Sequence, residues 1–263
     1  MVKSIGFVGG GNMGFALART ITERFPGAAI NVFDINGDRL ALFEQELPEV
    51  RTVDGPRELA EASEVMFLSV KPQDIQPVLE AIWDTERLLI SIAAGVPIKR
   101  IEGVCSRARV VRVMPNTPCL VGAMAAGYAF GSRIRPPDRE LVRQLLGAAG
   151  YAAEVEEQLL DGVTGLSGSG PAFVARLIEA FIAAGKGLGL EPEVARNLSI
   201  QTFLGTAKLL ADTGMDPQKL VDLVSSPNGT TVAGLQVLET SDYAQVISGT
   251  IQAAAVRSRE LGR

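Results

Sequence analysis

Short apolar, β-branched runs alternate with amphipathic stretches through the first part of the chain, and near residue 156 the alternation stops. The pattern predicts strands at SIGFV (4–8), INVF (30–33), EVMFLSV (64–70), LLISI (88–92), RVVRVM (109–114), AMAAGYAF (123–130) and YAAEVE (151–156). Helical periodicity falls between them at 12–25, 37–46, 74–83 and 137–148. Strand followed repeatedly by helix implies a doubly wound, mostly parallel sheet covered on both faces. Beyond 157 the strand signals vanish, and helices are expected at 168–188, 192–213, 216–224, 231–240 and 242–261. The chain therefore divides into an α/β domain over 1–156 and an all-α domain over 157–263.

One helix asks for more than this chain offers. In PAFVARLIEAFIAAGKGLGL the charged Arg176, Glu179 and Lys186 fall near one line, and the remaining positions are apolar or small. A helix apolar nearly all round is buried on most sides. About a hundred residues cannot easily supply that cover, so a second copy of the chain is expected to, as a homodimer or a higher homo-oligomer.

Composition narrows the chemistry. The 263 residues are 47% hydrophobic and 21% charged but only 5% aromatic, which predicts a closely packed, mainly aliphatic core. A net charge of −5, without clustered Lys and Arg, argues against nucleic acid. MVKSIGFVGG enters a strand too soon to hold a secretory signal, and no apolar run reads as long enough to span a bilayer. Cys105 and Cys119, the two cysteines, form no metal or disulfide pattern, which fits a reducing cytoplasm. The chain has no histidine, which removes Ser-His-Asp and Cys-His catalysis, His-containing zinc sites and His bases together. No metal is expected, and the reaction must need little proton shuttling from the protein.

FVGGGNMG places Gly9, Gly11 and Gly14 between the first strand and the first helix, with Asn12 and Met13 in the turn. G-x-G-x-x-G in that setting gives a tight turn, a close backbone approach to a pyrophosphate and a helix N-terminus aimed at it, the dinucleotide site of a Rossmann domain. Asp34 ends the second strand twenty residues after Gly14, where an acid takes the ribose hydroxyls of NAD(H) and repels a ribose phosphate. Asn36 and Arg39 follow within reach and can bind that phosphate, so the residues alone leave NAD(H) and NADP(H) both open. Ligands of such sheets lie at the strands' carboxyl ends. Three of those ends are turn-like here: Val70, Lys71, Pro72; Ala93, Ala94, Gly95; and MPNTP. Lys71 is expected near the ribose or phosphates, and Asn116 at the nicotinamide edge.

SSPNGTT at 225–231 interrupts an otherwise aliphatic stretch, either as punctuation between helices or as an anion cradle. Together with TGLSGSGPAF at 164–173, the following VAGLQVLE and the motifs above, it resembles pyrroline-5-carboxylate reductase along nearly the whole chain. The resemblance implies a Rossmann domain, an all-α dimerisation domain that interlocks two subunits, and reduction of the cyclic imine 1-pyrroline-5-carboxylate to proline. NADPH is implied as the preferred donor and NADH is admitted. It also gives Thr231 the ring nitrogen, and Ser226 with the Thr230 and Thr231 backbone the substrate carboxylate; Asn228 and Gly229, in the same turn, are expected among the substrate-binding residues. Successive N–H groups in a turn suit that anion, and hydride transfer to a protonated imine requires no side-chain base. Asn228 stands where the family commonly has glycine, and Asp34 is unusual among members preferring NADPH.

A hydroxyacid dehydrogenase with the same two-domain plan would carry a helix lysine with an asparagine four residues on. After Lys186 that place is Leu190, and after Lys208 it is Asp212. A dinucleotide-sensing regulator without enzymatic activity would share the glycine loop but leave the hydroxyl-rich turn unexplained.

Overall fold

Strand β1 (Ser4–Val8) forms between two other parallel strands, β2 (Ala29–Phe33) and β4 (Val65–Leu68), in a computed structural model that describes residues 2–47 and 49–262. The sheet continues through β3 (Arg51–Thr52) on one side and β5 (Leu88–Ser91), β6 (Arg109–Met114), β7 (Met124–Phe130) and β8 (Gly150–Glu154) on the other, in the order β3-β2-β1-β4-β5-β6-β7-β8. All pairs are parallel except β6 with β7. Only a 3-10 turn, Thr117–Val121, separates those two, and it is too short for the crossover that parallel pairing needs.

Neighbouring residues of each central strand enter opposite layers of core. Phe7, Phe67, Ile90 and Val111 pack on one face, and Val8, Leu68, Leu89 and Val110 on the other. Helices α1 (Asn12–Arg24), α2 (Gly37–Glu46), α3 (Pro56–Ala62), α4 (Ile75–Ala81), α5 (Ile98–Val104) and α6 (Pro136–Ala149) connect them. The core is mainly aliphatic, yet its few aromatic rings sit at the centre: Phe7 and Phe67 stack across β1 and β4 with centroids 4.8 Å apart. Several short elements escaped the sequence pattern. β3 has two residues, and α3 and α5 have seven each, too few for a period to register.

The packing divides the chain into two units, one of residues up to 171 joined by those from 251 onward, the other of 172–250. The sequence pattern put its division at 156, where the strands end. Residues 157–171 stay with the sheet through packing and charge together: Leu160 is fully buried in the second core layer, and Val163 packs against it. Arg112 on β6, 11% exposed at its side chain, lies 3.3 Å from Glu157 and 4.0 Å from Asp161. Glu157 also accepts from the Ile98 N–H at 2.7 Å, and Asp161 from the Ser258 hydroxyl at 2.6 Å. Between these residues the chain runs through a single turn of helix, α7 (Leu160–Val163), and a π-helical turn, Thr164–Gly168.

Residues 172–250 hold most of α8 (Gly170–Gly187), then α9 (Pro192–Thr213), α10 (Pro217–Val224), α11 (Thr230–Glu239) and the start of α12 (Tyr243–Leu261). Pro192 and Pro217 occupy first turns, and Gly214 ends α9 in the left-handed conformation. α8 buries none of its residues within the chain. Val174, Leu177 and Phe181, with Leu198 and Leu204 of α9, remain 40–58% exposed, and apolar surface of that extent marks an interface. One sequence expectation is corrected here. The helical run Glu157–Gly187 reaches a mean hydropathy of 1.2 and is long and apolar enough to cross a membrane. Its first residues are nevertheless fixed to the sheet by the ion pairs of Arg112.

Cys105 and Cys119 are both fully buried, and burial pushes both thiols up to about 11. At about pH 8 only about one thiol in a thousand would then be ionised. The native protein is expected to release no colour from a chromogenic disulfide reagent, and the denatured chain two equivalents; rapid labelling of the native form would contradict the burial.

Candidate active site

The glycine turn lies where the sheet's connections change direction, between the carboxyl ends of β1 and β4. Gly9 donates to the Phe33 carbonyl at 2.8 Å, and Ser69, just past β4, donates to the Val8 carbonyl at 2.8 Å. The three glycines are present for different reasons. Gly9 has φ +97°, and a Cβ there would stand 2.8 Å from the Ser69 carbonyl; a Cβ on Gly14 would stand 2.4 Å from the Gly9 oxygen. The fold requires both. A Cβ on Gly11 meets nothing within 4 Å, so glycine at that position suits the approach of a ligand. Gly11 gives α1 no side-chain cap, and the helix's first internal bond is Phe15 N–H to Gly11. The N–H groups of Asn12, Met13 and Gly14 are therefore without helical partners. Met13's side chain packs against the core.

Asp34 is tied into this turn. Its two carboxylate oxygens accept from Gly10 N–H at 2.6 Å and Asn36 N–H at 2.8 Å. Asn36 caps α2 through a 2.9 Å bond from Asp38 N–H, and Arg39 donates to the Asn12 side chain at 3.2 Å. Ile35, between Asp34 and Asn36 in sequence, is left 93% exposed. Sequence reasoning passed over it, although an isoleucine directly after the strand's terminal acid was a usable signal.

The other strand ends open on the same edge of the sheet. Lys71 and Pro72 begin a 3-10 turn after the half-buried Val70, and Lys71 is exposed. Ser69, also passed over, buries its hydroxyl without a hydrogen-bond partner, an orphaned polar group beside the glycine turn. Ala93 is buried, Ala94 exposed, and Gly95 turns with φ +75°. Asn116 differs from its expected use. Its amide donates to the Ser167 carbonyl at 3.1 Å and accepts from Ala125 N–H at 2.9 Å. The side chain thus joins β7 to the π-helical turn, and orients the end of β6 from within the protein.

In the helical unit, SSPNGTT folds as a turn that delivers a helix. Pro227 and Asn228 occupy its centre, Gly229 N–H donates to the Ser226 carbonyl at 2.9 Å, and Asn228 has φ +59°, the one non-glycine residue with positive φ among those described. Asparagine tolerates that conformation better than most residues. A Cβ on Gly229 would stand 2.4 Å from the Ser226 hydroxyl. α11 starts at Thr230 without a side-chain cap, and its first internal bond runs from Ala233 N–H to Gly229. The hydroxyls of Ser226, Thr230 and Thr231 are free of hydrogen bonds to other described residues, and the Ser225 hydroxyl is buried without a partner. Unpaired N–H groups, three hydroxyls and the positive end of a helix dipole thus lie together at this helix start, chemistry that favours an anion.

The glycines separate fold from ligand in a measurable way. Gly14→Ala should cost about 1–3 kcal/mol of stability through its clash with the Gly9 carbonyl. Gly11→Ala should leave denaturant stability within about 1 kcal/mol and lower dinucleotide affinity about tenfold or more. Equal effects of the two on stability and on affinity would contradict the division.

Comparison with known proteins agrees with this geometry. Residues 157–261 match the family described as pyrroline-5-carboxylate reductase dimerisation, and residues 4–95 that described as NADP oxidoreductase, coenzyme F420-dependent. The long apolar run at 157–187 thus falls within a dimerisation region. A pyrroline-5-carboxylate reductase of Synechocystis sp. is 40% identical with all of both chains covered, and one of Methanosarcina acetivorans is 38% identical over 99% of this chain and 98% of its own. The solved reductase of Coxiella burnetii is 33% identical and superposes with a TM-score of 0.93 over the full length of both chains. That of Plasmodium falciparum, solved with NADP bound, is 31% identical with a TM-score of 0.87, covering 100% of this chain and 98% of the other. A likeness that runs from the glycine turn to the last helix leaves one assignment: the chain belongs to the pyrroline-5-carboxylate reductase family.

Proposed function

We propose that this chain reduces 1-pyrroline-5-carboxylate to L-proline, the last step of proline biosynthesis, with NADPH as preferred donor and NADH also accepted. The observation that carries the reading is the uncapped start of α11 behind the SSPNGTT turn, an anion receptor within a chain that matches the family from end to end. Residues 1–156 serve the cofactor, and residues 157–263 serve dimerisation and the substrate. The two free, buried cysteines and their lack of a disulfide pattern suit work in a reducing cytoplasm.

The residues present fit a nicotinamide dinucleotide. The space over Gly11 and the free N–H groups of Asn12 to Gly14 suit its pyrophosphate, and Ile35 offers a face for a flat ring. Asp34 turns both oxygens toward backbone N–H groups, which leaves Arg39 and Asn36 beside it to meet a ribose phosphate. Lys71 adds a positive charge on the same edge. The bound cofactor supplies a hydride to the imine carbon. The α11 N–H groups, Ser226, Asn228, Gly229 and Thr230 hold the substrate carboxylate, while the Thr231 hydroxyl bonds the ring nitrogen and so fixes which face of the imine is presented. Protonation of that nitrogen, carried in with the substrate or from water, makes the carbon electrophilic. The protein's share is orientation at near-attack distance.

The experiment is direct. Mixing the protein with NADPH and pyrroline-5-carboxylate should deplete the reduced-nicotinamide absorbance and yield proline, with kcat/KM higher for NADPH than for NADH. Thr231→Ala removes one transition-state hydrogen bond and should lower kcat/KM for the imine by about ten- to a hundredfold, or about 1–3 kcal/mol, and Thr231→Ser by less. Cofactor affinity should stay unchanged in both. Full imine turnover by Thr231→Ala would reduce the loop to a helix cap. Sedimentation of the active species should give a dimer or larger; a fully active monomer would contradict the role given to α8.

A further inference from the structure

The end of α12 returns to the sheet unit and lands on a turn at the cofactor edge. Gly95 lies against Leu261 and Gly262. A Cβ placed on Gly95 would be 3.1 Å from the Gly262 Cα and nitrogen, and one placed on Gly262 would be 2.7 Å from the Gly95 carbonyl oxygen. Two backbones come this close only because neither carries a side chain. Independent contacts hold the segment in place. Ser258, 6% exposed, donates to Asp161 at 2.6 Å, Arg259 lies 3.8 Å from the same carboxylate, and Ala255 is buried. A Cβ on Gly165 would stand 2.5 Å from the Ile251 carbonyl, so the π-helical turn fits closely against α12 as well. The Ala93–Gly95 turn is weakly braced by its own bonds: Val96 N–H reaches the Ala93 carbonyl at 3.3 Å, and Ala93 N–H reaches the Ser91 hydroxyl at 3.4 Å. Both are long for such contacts.

We propose that Ser258–Gly262 is a positioning element for the nicotinamide cofactor, holding the Ala93-Ala94-Gly95 turn in the place from which it meets the dinucleotide. The proposal rests on the assignment of that turn to the cofactor groove. The role assigned to Ser258–Gly262 is indirect: the segment acts through Gly95, whose carbonyl faces Gly262. The last residues of the helical half of the sequence therefore set affinity for a ligand bound by the α/β half.

The test is a fluorescence titration of the full chain with NADPH, paired with steady-state kinetics. Gly262→Val pushes on the Gly95 carbonyl and should raise the NADPH Kd about tenfold. At saturating NADPH, kcat and the KM for the imine should stay within about twofold of the parent. Gly262→Ala should fall between, and Ser258→Ala, which removes only the bond to Asp161, should move the NADPH Kd in the same direction should the valine variant not fold. A general loss of structure would instead lower kcat or the active fraction and leave this split absent. Parental NADPH Kd in a folded Gly262→Val, or in Ser258→Ala where valine does not fold, would overturn the proposal, as would loss of kcat without a change in Kd. Ala94→Glu separates the two layers of inference. If it leaves NADPH binding intact, the turn is outside the groove and the groove assignment fails. If it weakens binding while Gly262→Val does not, only the positioning role fails.

Discussion

Arg112 is the charge around which the sheet unit closes. A guanidinium this buried on a central strand is costly unless it is paired, and the cost is several kcal/mol. Glu157 and Asp161 answer it, and each carboxylate then recruits more of the chain: Glu157 the start of α5, Asp161 the end of α12. One cation on β6 thus helps to fix two stretches about 160 residues apart in sequence, the start of α5 and the end of α12. The π-helical turn and the close approach of α12 to Gly165 occupy the space between those anchors. The carboxyl edge of the sheet is consequently walled in part by residues that follow the last strand.

The proposed chemistry uses one physical device twice. α1 and α11 each begin without a side-chain cap, so each leaves N–H groups and the positive end of a dipole unspent. One helix start is proposed for a pyrophosphate and the other for a carboxylate. Backbone donors hold anions without titrating, which suits a chain that has no imidazole. They also demand that the backbone be placed well. That demand falls on Gly9 and Gly14 at one site, and on Asn228 and Gly229 at the other.

The sequence was most legible where a feature repeats or where geometry restricts the residue type. Strand alternation gave the parallel sheet, helical periodicity gave α9 to α12 to within a residue or so, and the glycine spacing gave the turn between β1 and α1. Local elements of two to seven residues, β3, α3 and α5, lacked the length for a pattern. Long-range pairing was also hidden. Nothing local to residues 157–171 shows that Arg112 will hold them to the sheet, and MPNTP does not reveal that the Asn116 amide is taken by Ser167 and Ala125. Ser69 illustrates a third kind of silence, since a serine at a strand's end is ordinary until its hydroxyl is found buried and unpaired.

The two bonds of Asp34 bear on how this chain can change over evolutionary time. An acid at that position is normally judged by what it does to a ribose, and swapping it is the first move in altering cofactor preference. Here the carboxylate also bridges the glycine turn and the entry to α2, through charge-assisted bonds to Gly10 and Asn36. Such bonds to charged groups are each worth about 1.5–3 kcal/mol. A substitution of Asp34 would therefore loosen the glycine turn itself, the loop proposed for the pyrophosphate, and would require a compensating change nearby before it became neutral. In the proposed groove, cofactor choice is coupled to loop architecture through this one side chain, and a change at Arg39 or Asn36 would disturb the glycine turn less than one at Asp34.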